Sequence, residues 1–184
     1  MEGITTILQR LNNRDPLPLL VPDKVWDPAL SEETATITAE DIVSEGEALP
    51  SEQVVEAVRS SLLLLNDDLD ASHDISQGLE DSLGSYLHGV MHRREGDFPN
   101  AKYWFRLAGD HPIHALLYDE GQKIDNDLKQ RGRWDPAAMV DEVERVYRDG
   151  AEDSEKGIAL RKLQMLEMQM LVGFSVGSGV KENE

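Results

Sequence analysis

His88 and His92, with Glu95 three residues beyond them, are the residues of this chain best spaced for chemistry. On a helix these are positions i, i+4 and i+7, and they share one face. Two imidazoles at i, i+4 can hold a transition metal through their neutral nitrogens. Glu95, or a carboxylate from Asp67, Asp68 or Asp70, would supply a third ligand, and His73 is a further candidate. A divalent metal is therefore the candidate cofactor, with His88 and His92 as its ligands. The same groups can also do acid–base work. His73, one turn beyond Asp70, could be oriented by it as a general base, and His92 and Glu95 complete a candidate catalytic set. The competing reading is structural: two buried histidines hydrogen-bonded between helices to Asp or Tyr.

Around the histidines the chain changes character. Its formal net charge is -18, yet Arg93, Arg94, Lys102 and Arg106 gather between Ser85 and Pro112, together with His111. Guanidinium groups bind carboxylate or phosphate in bidentate fashion. Tyr86, Tyr103 and Trp104 could form a stacking wall. Arg93, Arg94, Lys102, Tyr103 and Trp104 are thus the expected contacts for a small anionic ligand. The alternative is an internal ion-pair network, with Glu95, Asp97, Asp67 and Asp68 as partners. No Ser or Thr sits in a nucleophile motif, and there is neither a glycine-rich phosphate loop nor a dinucleotide fingerprint. Cysteine is absent, which removes thiol catalysis, disulfides and thiolate metal sites.

These side chains must be mounted on helices. After Ser51, Val54, Val55, Val58, Leu62 and Leu65 recur at three- and four-residue spacing. Asp67 or Asp68 caps a second helix, and Gly84 or Ser85 opens a third that runs to about Glu95. Gly96-Asp97-Phe98-Pro99 is a turn with proline in the first turn of a fourth helix, which stops at Gly109. Pro112 opens a fifth, and Asp135-Pro136 a sixth that ends at Gly150. A seventh covers Ser154 to Leu171, where Met165, Met168 and Met170 suit the core or a dimer face, so a homo-oligomer is one expectation. No segment alternates with period two. The expected fold is all-α: a compact helical domain of antiparallel hairpins over residues 51–174, with a C-terminal tail at 175–184.

Residues 1–50 read differently. A short amphipathic helix near residues 3–12 gives way to an arm punctuated by Pro16, Pro18, Pro22, Pro28 and Pro50. Between Lys24 and Arg59 there is no basic residue, while Glu32, Glu33, Glu40, Asp41, Glu45, Glu47, Glu52 and Glu56 accumulate. The expectation is an irregular, solvated acidic arm. A sharper version makes it a flap over Arg93 and Arg94.

The hairpin carries one specific resemblance. Gly89, Gly96-Asp97-Phe98, Ala101, Phe105 and Ala108 stand in the spacing of a tetratricopeptide repeat, a family in which small residues line the contact between paired helices. The match departs from the family at His88 and His92, which replace apolar or aromatic residues, and at Pro112, one residue early. Asp68-Leu69 and Ser72 form a weaker echo, so the resemblance covers roughly a third of the chain. Since ~3 repeats are normally needed for a solenoid, it implies one such hairpin inside a compact domain. More broadly, NDDLDASHDISQ, GSYLHGVMHRREGDFPNAKYWFRLAGDHP and WDPAAMVDEVE resemble a family of bacterial and fungal helical proteins, a resemblance that implies no substrate.

The expected function is a site for a small anionic or polar ligand, metal-assisted or served by histidine acid–base chemistry. The alternative is a tetratricopeptide-like module that binds an acidic peptide through Arg93 and Arg94. The acidic balance argues against nucleic-acid partners and anionic membrane surfaces. MLVGFSVGSGV is too short and glycine-rich to span a bilayer. MEGITTILQRLNNRD lacks the pattern of a signal peptide, so cytoplasmic residence is expected.

Overall fold

Hydrophobic side chains from almost every element meet in one core, most of them carried by helices. The computed structural model describes residues 2–44 and 47–181. Among these there are eleven α-helices and no strand. The element that carries the histidine pair is α6 (Ser82–Glu95). Asp81 caps its N-terminus by accepting from the Gly84 backbone N–H at 2.6 Å. Gly96, at φ 87°, ends it in the left-handed conformation that glycine adopts without strain. Asp97 then caps α7 (Phe98–Ala108), with Pro99 in the first turn, so two helices are joined by a two-residue turn. Gly89 lets them approach: a Cβ there would meet the Phe105 ring at 2.9 Å. Ala101 and Ala108 are buried on the facing side, and Ser82 Oγ donates to the Ala108 carbonyl at the open end.

The element on the other side of α6 is α5 (Leu69–Ser76), capped by Asp68. It is pinned to α4 (Glu52–Leu65) by buried serines: Ser60 and Ser72 exchange hydrogen bonds, with their hydroxyls 2.9 Å apart. This fixes the azimuth of α5 and so aims His73, the next residue, at α6. Further along the chain come α8 (Ile113–Gly121), α9 (Asn126–Arg131), α10 (Pro136–Arg148) and α11 (Glu155–Lys181). Of these, α11 packs against α4, α8 and α10 and closes the core with Leu160, Leu163, Met168, Leu171 and Val172.

The N-terminal region differs from the expected irregular arm. After α1 (Glu2–Asn12) it forms α2 (Pro28–Ala35) and α3 (Ala39–Ile42). Asp27 caps α2 with proline at the first position, and Thr38 with Asp41 makes a capping box for α3. Ile4, Ile7, Leu11, Leu20, Leu30, Ile37 and Ile42 are buried in the same core as the helices beyond residue 50. Glu32, Glu33 and Glu40 are exposed, so the acidic run is the outer face of packed helices. Glu45 lies outside the described residues. The flap expectation also changes form. It is the backbone of residues 17–20 that reaches inward: the Leu19 carbonyl accepts from Arg94, and those of Leu17 and Pro18 accept from Arg161. At the other end, α11 continues past residue 174 to Lys181 where a tail was expected; residues 182–184 lie outside the described residues.

Candidate functional site

His88 and His92 stand one turn apart on α6, and His73 comes to them from α5. The ring centres are 4.7 Å apart for His88 and His92, 4.8 Å for His73 and His88, and 5.6 Å for His73 and His92. One nitrogen from each ring lies within 4.8 Å of the others. Three imidazoles on one tetrahedral ion, with metal–nitrogen bonds of ~2.1 Å, have ring centres roughly 5 Å apart. The His88 and His92 planes are 25° from parallel, so their lone pairs do not meet at one point as the rings stand, and a shared ion needs a ring to turn about χ2, a soft torsion.

The surroundings are specific to each ring. His88 is only 4% exposed, stacks on Trp104 at 4.0 Å, and its Nδ1 is buried without a hydrogen-bond partner. Burial, reinforced by the neighbouring His92 and His73, lowers its pKa to about 4. It is therefore neutral at pH 7, the form that binds metals. His92 Nδ1 lies 2.5 Å from Glu95 Oε1, and Asn100 Nδ2 lies 3.0 Å from its Nε2. The ring of His73 packs edge-on against the other two, while Asp70, its expected orienting partner, is exposed.

The structure thus gathers His73, His88, His92, Glu95 and Trp104 and separates the basic residues from them. Arg93 and Arg94 are fully buried. Arg93 donates to Gln164 Oε1 at 3.1 Å and pairs with Glu167 on α11. Glu167 also accepts from the Tyr86 hydroxyl at 2.8 Å, which in turn accepts from Trp134 Nε1 at 3.1 Å. Burial and the Glu167 carboxylate hold the Tyr86 phenol well above its usual pKa, so it stays protonated. Arg94 pairs with Asp67 at 2.5 Å, and Asp67 bridges to Arg14 at 2.6 Å. The two arginines expected to meet a ligand are instead held inside the protein by acids that lie far away in sequence. Lys102 pairs with Asp141 on α10. Tyr103 is exposed, edge-on to Trp104, with Arg106 over its ring. The expectation that arginine, lysine and tyrosine converge on the histidines is not what the packing produces.

Asn100 beside His92, and Gln164 and Glu167 beneath Arg93, were not singled out from the sequence. A signal existed for the last two: polar residues three apart amid Leu160, Leu163, Met168 and Leu171. Two other features stand apart from the histidines. A cleft of about 560 Å³ lies between Asp110, His114, Tyr118, Arg133 and Trp134. The carboxylates of Asp125, Asp127 and Glu142 surround the Lys156 ammonium, at 2.9, 2.9 and 2.5 Å, so that group already holds a cation. Among the described residues no helix is long and apolar enough to cross a membrane. Comparison of the chain with protein-family models, curated proteins and solved structures returned no match, so the resemblances noted above rest on their residues alone.

Proposed function

We propose that this protein binds one divalent transition-metal ion through His73, His88 and His92 and offers the ion's open coordination position to water or a small anion. The observation that carries the reading is His88: a buried, neutral imidazole whose Nδ1 has no partner and whose ring faces two further imidazoles. An unsatisfied buried polar group costs about 1–3 kcal/mol, and an ion bound by the cluster would offset that cost. Three nitrogen donors suit zinc, cobalt, nickel or copper, whereas magnesium and calcium require oxygen. Three protein ligands on a four-coordinate ion leave one position for water, whose acidity the ion raises, or for an anion it holds directly. His73 and His92 serve here as ligands in place of acid–base catalysts. Trp104 walls one side by stacking on His88. Arg93, Arg94 and Lys102 take no part, since each has an acidic partner within the chain.

Metal uptake by the 184-residue chain tests this. Elemental analysis after dialysis against Zn²⁺, Co²⁺, Ni²⁺ or Cu²⁺ should give one ion per chain. Melting temperature should rise with metal concentration, since binding stabilises by about 2.7 kcal/mol at a hundredfold excess over Kd. His88→Ala should abolish uptake. His73→Ala, at a partly buried position outside the hydrophobic core, should do the same while the fold persists. His114→Ala should bind as the parent does. A parent chain that takes up none of the four metals sinks the reading.

A further inference from the structure

We infer that Glu95 is a positioning residue for this centre: its carboxylate accepts the Nδ1–H of His92 and thereby makes Nε2 the nitrogen that meets the ion. The inference rests on the metal reading above. An ionised carboxylate can only accept, so the His92 nitrogen 2.5 Å from Glu95 Oε1 must carry a proton. Asn100 Nδ2, from α7, lies 3.0 Å from Nε2 and 3.4 Å from Nδ1, so it sits to the side of both nitrogens and off the lone-pair axis of Nε2. With Nδ1 protonated toward Glu95, Nε2 is the electron donor, and Asn100 does not occupy its lone pair.

The alternative role for Glu95 is direct ligation, since one atom each from His92, Glu95 and Asp97 also lie within 4.8 Å of one another. Two features weigh against it. Asp97 is already the cap of α7, accepting from the Asn100 backbone N–H at 3.3 Å. The only His92 nitrogen close to Glu95 is the protonated one. Glu95 is 40% exposed, and its charge partly offsets a dication held by three neutral ligands.

Glu95→Ala and Glu95→Gln in the 184-residue chain, probed with Zn²⁺ alone and by ¹⁵N–¹H NMR of His92, test the inference. Glu95→Ala should still bind one zinc per chain but ~10–100-fold more weakly, the usual loss for an outer-shell partner. Glu95→Gln, which keeps a carbonyl acceptor, should fall between Ala and the parent. In the parent at neutral pH the proton should sit on Nδ1, and Glu95→Ala should lose that preference. Zinc affinity unchanged in Glu95→Ala, or a proton on Nε2 in the parent, overturns the inference. Zinc loss as complete as in His88→Ala makes Glu95 a ligand and overturns it too. Absence of zinc uptake by the parent fails the metal reading instead, and the tautomer still decides whether Glu95 orients His92.

Discussion

His88 and Arg93 sit five positions apart on one helix and are equally hidden, yet their chemistry is opposite. Arg93 is met inside the core by Glu167 and Gln164. His88 gives its charge up because nothing anionic meets it. His111 behaves as His88 does: it is 3% exposed, packed against Tyr86 and Phe174, and burial lowers its pKa from 6.5 to about 4. The sign follows directly. Below pH 6.5 the unfolded chain takes up a proton that the folded ring refuses, so stability falls as pH drops and levels off below about 4. His111→Asn keeps an acceptor for the Ile113 N–H that Nδ1 now receives at 3.4 Å. Urea unfolding at pH 7 and pH 4.5 should show a smaller acid-induced loss in this variant than in the parent. An equal loss would mean that His111 is not held neutral.

At the scale of elements, α6 is buried on almost every side, and its sequence shows why that is hard to read. Its apolar positions form no single stripe, because Tyr86, His88, Arg93 and Arg94 are inside alongside Leu87, Val90 and Met91. What reads clearly is local: the turn at Gly96-Asp97 that stops α6 and the proline that starts α7. All seven helix starts expected beyond residue 50 recur in the structure within about three residues, at α4, α5, α6, α7, α8, α10 and α11. The short helices α2, α3 and α9 were missed, since each is eight residues or fewer and carries too few apolar positions to show a period. Gly89 is the element-level determinant that can be tested. Gly89→Ala should drive a methyl into the Phe105 ring and cost about 1–3 kcal/mol, the range for overpacking, read from the urea midpoint. Because α7 also carries Trp104 and Asn100, the variant should weaken zinc binding as well. A variant as stable as the parent would show that the hairpin can yield at this contact.

Over the whole molecule the decisive feature is that both ends of the chain belong to one core. Leu11, Leu20 and Leu30 are completely buried, Arg14 and Arg94 share Asp67, and Gln164 donates to the carbonyls of residues 19 and 20. Deleting residues 1–48 should therefore remove the cooperative melt seen by far-UV circular dichroism. A truncated chain that still unfolds in a single sharp transition would restore the view of this region as an appendage. The net charge of -18 is compatible with this fold because the acidic run lies on the outside while the buried arginines are paired.

Composition, caps and periodicity were sufficient to specify an all-helical protein and to place His88, His92 and Glu95 on one helical face. Those properties depend on groups within one or two turns of each other, and local sequence contains them. Only the tertiary structure decided that His73 completes the group, because that follows from how Ser60 and Ser72 lock α5 onto α4. Only the tertiary structure removed Arg93 and Arg94 from the candidate site, because their partners lie 74 positions away on α11 and 27 positions away at Asp67. Whether a buried charge is a ligand contact or a structural tie depends on which distant acid packs beside it, and that choice belongs to the packing of the whole core.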